Sequence, residues 1–249
     1  MSRFDDLSGY AASMAPLIDA VHLGVHVASR PLGRELVERL GLQAELLIDL
    51  RFVLPARPLT AEGLTALYRY NPVDDAEIEL QITQGTLVAA DGVLHGTERA
   101  LAFIEEVYDV HARVTGELWA AHADRLPELA DLTGRLLAAG ADSGGTAFAQ
   151  ACPPYEPEGA PAGVLLFNRL AVLRYHRADA HAAAWREADL TTDQVIALPS
   201  GPARDRIEAE TNRRAAVPYG TLTTQERQAL LLGLSVLDPP PPRPGVTVA

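Results

Sequence analysis

The chain has 249 residues, 48% of them apolar, enough to bury a core as one domain with a subdomain or as two closely packed halves. All 21 basic residues are arginine, so the chain itself supplies no Schiff-base, pyridoxal-phosphate or P-loop lysine. A net charge of −12 opposes general affinity for nucleic acid, which needs clustered positive charge, and a single cysteine, Cys152, excludes an internal disulfide.

The first stretch, MSRFDDLSGYAASMAP, carries two acids and no apolar run of signal-peptide length. No segment approaches the roughly 18–20 uninterrupted apolar residues of a membrane span. A cytoplasmic protein without a membrane is therefore expected. Leu17, Ile18, Val21, Val25 and Ala28 recur at helical spacing and predict a first helix over residues 11–28. Ser29 and Pro31 then predict a second helix ending at Gly41. Residues 44–54, AELLIDLRFVL, read equally as a helical turn or a buried strand, and Pro55 and Pro58 interrupt the chain.

From Leu59 the pattern becomes specific. Thr60 can cap a helix carrying Leu64, Leu67 and Tyr68, and Asn71-Pro72 turns the chain. Asp74 or Asp75 can cap a second helix over 76–84 that Gly85 terminates. Two short apolar runs, 86–88 and 93–95, meet through Asp91-Gly92, a strong hairpin signal. Thr97 starts a long helix reaching toward His122. This order predicts a winged-helix-like module in a mainly α protein, with its wing at about 85–96. A rival reading stays open, because residues 77–83 also alternate as a strand would, which would make 77–95 a three-stranded meander.

The second half predicts helices over 126–139 and 164–188, separated by a loop rich in Gly, Ala and Pro that holds Cys152. A short helix follows the Thr191–Gln194 capping box, a polar helix opens at Pro202, and a last one follows Thr223 and Glu226. The expected divisions are 1–122, 123–238 and a proline-rich tail, 239–249.

Chemistry concentrates in RYHRADAH, residues 174–181. His176 and Asp179, three apart, suit an acid–base pair in which the carboxylate fixes the imidazole tautomer. Arg174, Arg177 and His181 share a face that could take an anion, with Phe167 and Trp185 as apolar wall. His22 and His26, four apart, share a face at a spacing that can hold a metal, and His22 could also contact a ligand. The module over 59–100 carries seven acids against Arg69 and Arg99. Its second helix has Asp74, Asp75, Glu77 and Glu79 and no base, which would repel a DNA backbone.

GTLVAADGVLHGTERA, residues 85–100, resembles the wing of MarR-type regulators. VLRYHRADAHAAAW together with RDRIEAETNRRAAVPY resembles an actinobacterial family of winged-helix-like, MarR-related proteins. His176, Arg177, Asp179 and His181 match its first motif; Glu208, Thr211, Asn212, Arg213 and Pro218 match its second. The winged helix of that family would fall between Leu190 and Arg204, where this chain has no room for one. The resemblance implies a scaffold with a pocket. The leading expectation is a homodimeric sensor or accessory protein that binds a small, acidic molecule and does not read DNA. The alternatives are an enzyme using His176–Asp179 or a His22/His26 metal, and a MarR-like regulator. No cofactor is indicated.

Overall fold

A computed structural model describes residues 4–238; the proline-rich tail expected at 239–249 lies outside them. The described chain is mainly helical with one small antiparallel sheet. Helix α1 (Leu7–Leu40) runs unbroken through Pro16 and Pro31, where two helices were expected. An interior proline removes one backbone hydrogen bond. Here the residues either side of Pro31, among them Val25, Ser29 and Leu36, are buried, and packing holds the helix together. Asp6 caps its start, and Gly41, at φ 61°, closes its end in the left-handed conformation that glycine favours. By length and composition α1 is apolar enough to cross a membrane. In the structure it packs against α5, α8, α10 and α11.

The ambiguous stretch 44–54 resolves into a short helix, α2 (Glu45–Asp49), followed by tight turns. Strand β1 (Leu59–Thr60) leads into α3 (Ala61–Leu67), and α4 (Asp75–Thr83) precedes the hairpin of β2 (Leu87–Ala90) and β3 (Val93–Gly96). Residues 77–83 are thus helical, which overturns the meander. The third strand of the sheet is β1 instead, paired to β3 so that the order is β1-β3-β2. Thr60 and Asp74 cap α3 and α4 through their side chains. Asp91 and Gly92 both take positive φ, the backbone a two-residue hairpin turn requires, and this sets the Ala90–Val93 register.

Beyond the hairpin come α5 (Glu98–Leu118), a 3-10 turn (Ala120–Arg125), α6 (Leu126–Gly140) and α7 (Thr146–Ala151), the last inside the expected loop. Helix α8 (Ala162–Glu187) is central. Its consecutive residues Leu170, Ala171, Val172 and Leu173 are all buried, which requires neighbours on every side. α5, α6, α7, α10 and α1 supply them. The chain closes with α9 (Thr192–Ile196), α10 (Pro202–Ala215), a 3-10 turn (Val217–Thr221) and α11 (Thr224–Leu237), with both expected capping boxes formed. One apolar core extends from Phe4 to Leu237 and crosses the expected division at 122/123. A smaller cluster gathers Trp185, Val195 and Ile207.

Candidate functional site

The face expected on α8 divides among three places. Phe167 and Trp185 are 18 positions apart, about 27 Å of helix rise, too far to wall one small ligand. Trp185 belongs to the small apolar cluster, and its Nε1 donates to Tyr70 Oη at 3.2 Å. The same hydroxyl lies 2.7 Å from His181 Nδ1. Phe167 is fully buried at the centre of the core.

Arg174, His176, Arg177 and His181 line a small pocket of about 250 Å³ against Glu208 and Thr211 of α10. The two strings that carry the family resemblance therefore meet in space. Arg177 donates to Asn212 Oδ1 at 2.8 Å and to Glu208 Oε2 at 3.1 Å. Arg174 donates to Asp19 at 2.6 Å and to His22 Nδ1 at 3.2 Å. Each guanidinium already faces a carboxylate of the chain, so the pocket offers an incoming anion no net positive charge.

The His176–Asp179 pair also divides. His176 Nε2 bonds to Ser143 Oγ at 2.9 Å. Asp179 accepts from Arg69 Nη2 at 2.9 Å and from the backbone amides of Gly145 and Phe148 at 3.1 and 2.8 Å, so it ties the turn after α3 and the start of α7 to α8. Asp179 is a structural anchor, and the expected tautomer-fixing bond to His176 is not made. Burial holds His176 down at about 4, against a smaller opposite pull from Asp179. The Cys152 thiol is half-buried and burial pushes it up, the reverse of an activated nucleophile.

A different set of polar groups converges at the core. His22 stacks on Phe167 with ring centroids 4.9 Å apart, while His26 and His111 meet the same ring edge-on at 5.3 and 4.9 Å. Arg51, 1% exposed, places its guanidinium carbon 4.5 Å from the centre of that ring. His22 and His26 touch, as their spacing predicts, at 4.5 Å. Among the described residues no group of three or more His, Cys, Asp or Glu is placed to hold a metal, and Arg51 and Arg174 bring positive charge to the same spot.

Burial, with those arginines and the neighbouring histidines, lowers His22 and His111 well below the ordinary imidazole range and holds His26 down at about 3. All three rings are neutral at pH 7. Because a guanidinium only donates, the bond from Arg174 makes His22 Nδ1 the acceptor and leaves the proton on Nε2. Among the described residues that Nε2 has no partner, and neither do Arg51 Nε and Nη2 or His111 Nδ1. A groove of about 800 Å³ between α1, α2 and α5 reaches this cluster. His26, Ser29 and His111 line it beside Ile48, Asp49 and Val107. Ser29 Oγ is also buried and has no partner among the described residues.

Sequence reasoning missed Arg51, His111 and Ser29. The signals were modest: Arg51 is the lone base of an apolar string, and His111 falls in the stripe of Ile104, Val107 and Val114. Compared with family models, curated proteins and solved structures, the chain matches none.

Proposed function

We propose that the protein binds a small acidic molecule in the groove between α1, α2 and α5, as a sensor or accessory protein. The observation that supports this most is the groove's lining: among the described residues Ser29 Oγ and His111 Nδ1 are buried without a partner there, and the charge of the buried Arg51 bears on His26 and His111 from within the core. An ionised group buried without a counterion costs several kcal/mol, and each further unpaired polar atom about 1–3 kcal/mol. A native domain keeps only about 5–15 kcal/mol in all. A ligand that accepts hydrogen bonds and carries negative charge would offset that cost.

The β1-α3-α4-β2-β3 segment is read as a winged-helix-like module that has lost the usual use of its second helix. The first strand pairs with the last, as in a wing, while α4 and its cap present Asp74, Asp75, Glu77 and Glu79. Such a surface repels phosphates, so the module serves as scaffold for the adjoining groove.

Native and denaturing mass spectra of the purified full chain test the reading, together with a thermal-shift panel of small organic acids. The expected result is a co-purifying mass lost on denaturation, or a saturable shift by some acid. Neither a bound mass nor any shift across the panel would refute small-molecule binding.

A further inference from the structure

Buried hydroxyls on the helices of this protein share a habit. Thr115, Thr133 and Thr211 each donate to the carbonyl four residues earlier, at 2.8, 2.9 and 2.7 Å. Ser29 on α1 is also buried and makes no such bond; its Oγ has no partner among the described residues. It lines the groove between α1, α2 and α5, as does His111, whose buried Nδ1 is likewise without a partner there. The volume of the groove, about 800 Å³, lies within the range of small-molecule sites.

The walls of the groove differ in charge. On α1 it takes the face of His26, Ser29, Arg30, Gly33 and Arg34, which recur at helical spacing. Gly33 leaves a gap in that face, since a Cβ built there would meet nothing within 4 Å. Helix α2 supplies Glu45 and Asp49, one turn apart, with Ile48 beside them. Helix α5 supplies Val107 and Val110 next to His111. Arg30, Arg34, Glu45 and Asp49 are exposed, and none of them forms an ion pair among the described residues.

We infer that the groove binds an α-amino acid with an apolar side chain, its carboxylate on the Arg30–Arg34 wall and its ammonium on the Glu45–Asp49 wall. The inference rests on the small-molecule reading above and narrows the acid to one that also carries an amine. Two arginines face two carboxylates, and His26 and His111 are neutral, so the formal charges of the lining cancel. A plain carboxylate would meet Glu45 and Asp49 as like charges, and a plain amine would meet Arg30 and Arg34; a zwitterion satisfies both walls. The acidic wall is already crowded, because Glu77 is pushed up by partial burial and then by Asp74, Glu45 and Asp49. An ammonium there relieves that repulsion. Ile48, Val107 and Val110 give the side chain an apolar bed. The Ser29 hydroxyl, next in sequence to Arg30, adds a donor for the carboxylate.

The test is the melting of the full chain at pH 7.5 and matched ionic strength with six probes. L-leucine and L-phenylalanine carry both groups, 4-methylpentanoate and 3-phenylpropanoate lack the amine, and 3-methylbutylamine and phenethylamine lack the carboxylate. At least one amino acid should raise Tm saturably, by about 5 °C at a hundredfold excess over Kd, with its two analogues at least about tenfold weaker. Arg30→Gln with Arg34→Gln should weaken the amino acid at least about tenfold. Glu45→Gln with Asp49→Asn should do the same and strengthen the plain carboxylate. Gly33→Leu should melt no lower than the wild type, because leucine suits a helix better than glycine and enters open space, and should abolish the response.

No saturable shift by either amino acid would overturn the inference. So would an amino-acid response that survives Gly33→Leu or that both charge-pair variants leave unchanged. Should Gly33→Leu not fold, the charge-pair variants decide, since their residues are exposed. Plain carboxylates that bind as tightly as the amino acids would refute the amphoteric class and leave the small-acid reading standing. Failure of all six probes, with no co-purifying mass and no shift by any other acid, would refute both.

Discussion

Mild acid should destabilise this protein through its buried histidines. His176 is 3% exposed, and burial lowers it from the ordinary 6.5 to about 4. Its folded value lies below its unfolded one, so between the two the unfolded chain binds more protons. The stabilising contribution is complete above pH 6.5 and is lost as the pH falls toward 4. At pH 5 the unfolded imidazole is almost fully protonated and the folded one about a tenth, a loss of about 2 kcal/mol that grows to about 3 kcal/mol below pH 4. His22, His26 and His111 shift in the same direction, with Arg51 and Arg174 facing them, and add to the loss. Urea unfolding of the wild type and of His176→Gln at pH 7.5 and pH 5.0 measures this. The wild type should lose at least about 2 kcal/mol, and the variant about 2 kcal/mol less than the wild type. Equal wild-type stability at the two pH values, or equal losses in both proteins, would refute the reasoning.

Asp179→Ala should cost about 3–5 kcal/mol in urea unfolding, because it strands Arg69 at a 9% exposed position and frees the first amides of α7. Thr223→Ala removes the side chain that caps α11 and should lower stability by about 1 kcal/mol, with no change in ligand response. Gly63→Ala should destabilise by about 1–3 kcal/mol, since the new Cβ would lie 2.1 Å from Gln150 Oε1, which also accepts from Thr60. Fluorescence anisotropy with duplex DNA should stay flat from low to high salt; binding with a steep salt slope would return the regulator reading.

The elements visible in the sequence were those written by local chemistry. Caps at Thr60, Asp74, Thr97, Thr191 and Thr223 form through side chains three residues from the amides they accept, so residue order alone reveals them. The Asp91-Gly92 turn is equally local. The continuity of α1 through Pro31 was not legible, because it depends on what the helix packs against. The choice between helix and strand at 77–83 went the same way: α4 keeps only Gln81 fully buried, whereas a half-buried strand would bury alternate residues.

The site was legible only as residue types. Histidines and arginines on α1 and α8 were visible, but which of them lack partners is a property of the assembled core. Glu208 and Asn212 come from α10 to occupy Arg177, Asp19 comes from α1 to occupy Arg174, and Arg69 comes from the turn after α3 to occupy Asp179. Each of these partners removes a charge that appeared free in the linear chain. Arg51 runs the other way. In sequence it is the lone base of the apolar string 44–54, yet the fold carries it to the centre of the core and, among the described residues, leaves two of its nitrogens without an acceptor. The fold thus neutralises the most charged string of the sequence and buries a single arginine of an apolar one with two donors unpaired among the described residues, an arrangement that residue order alone does not reveal.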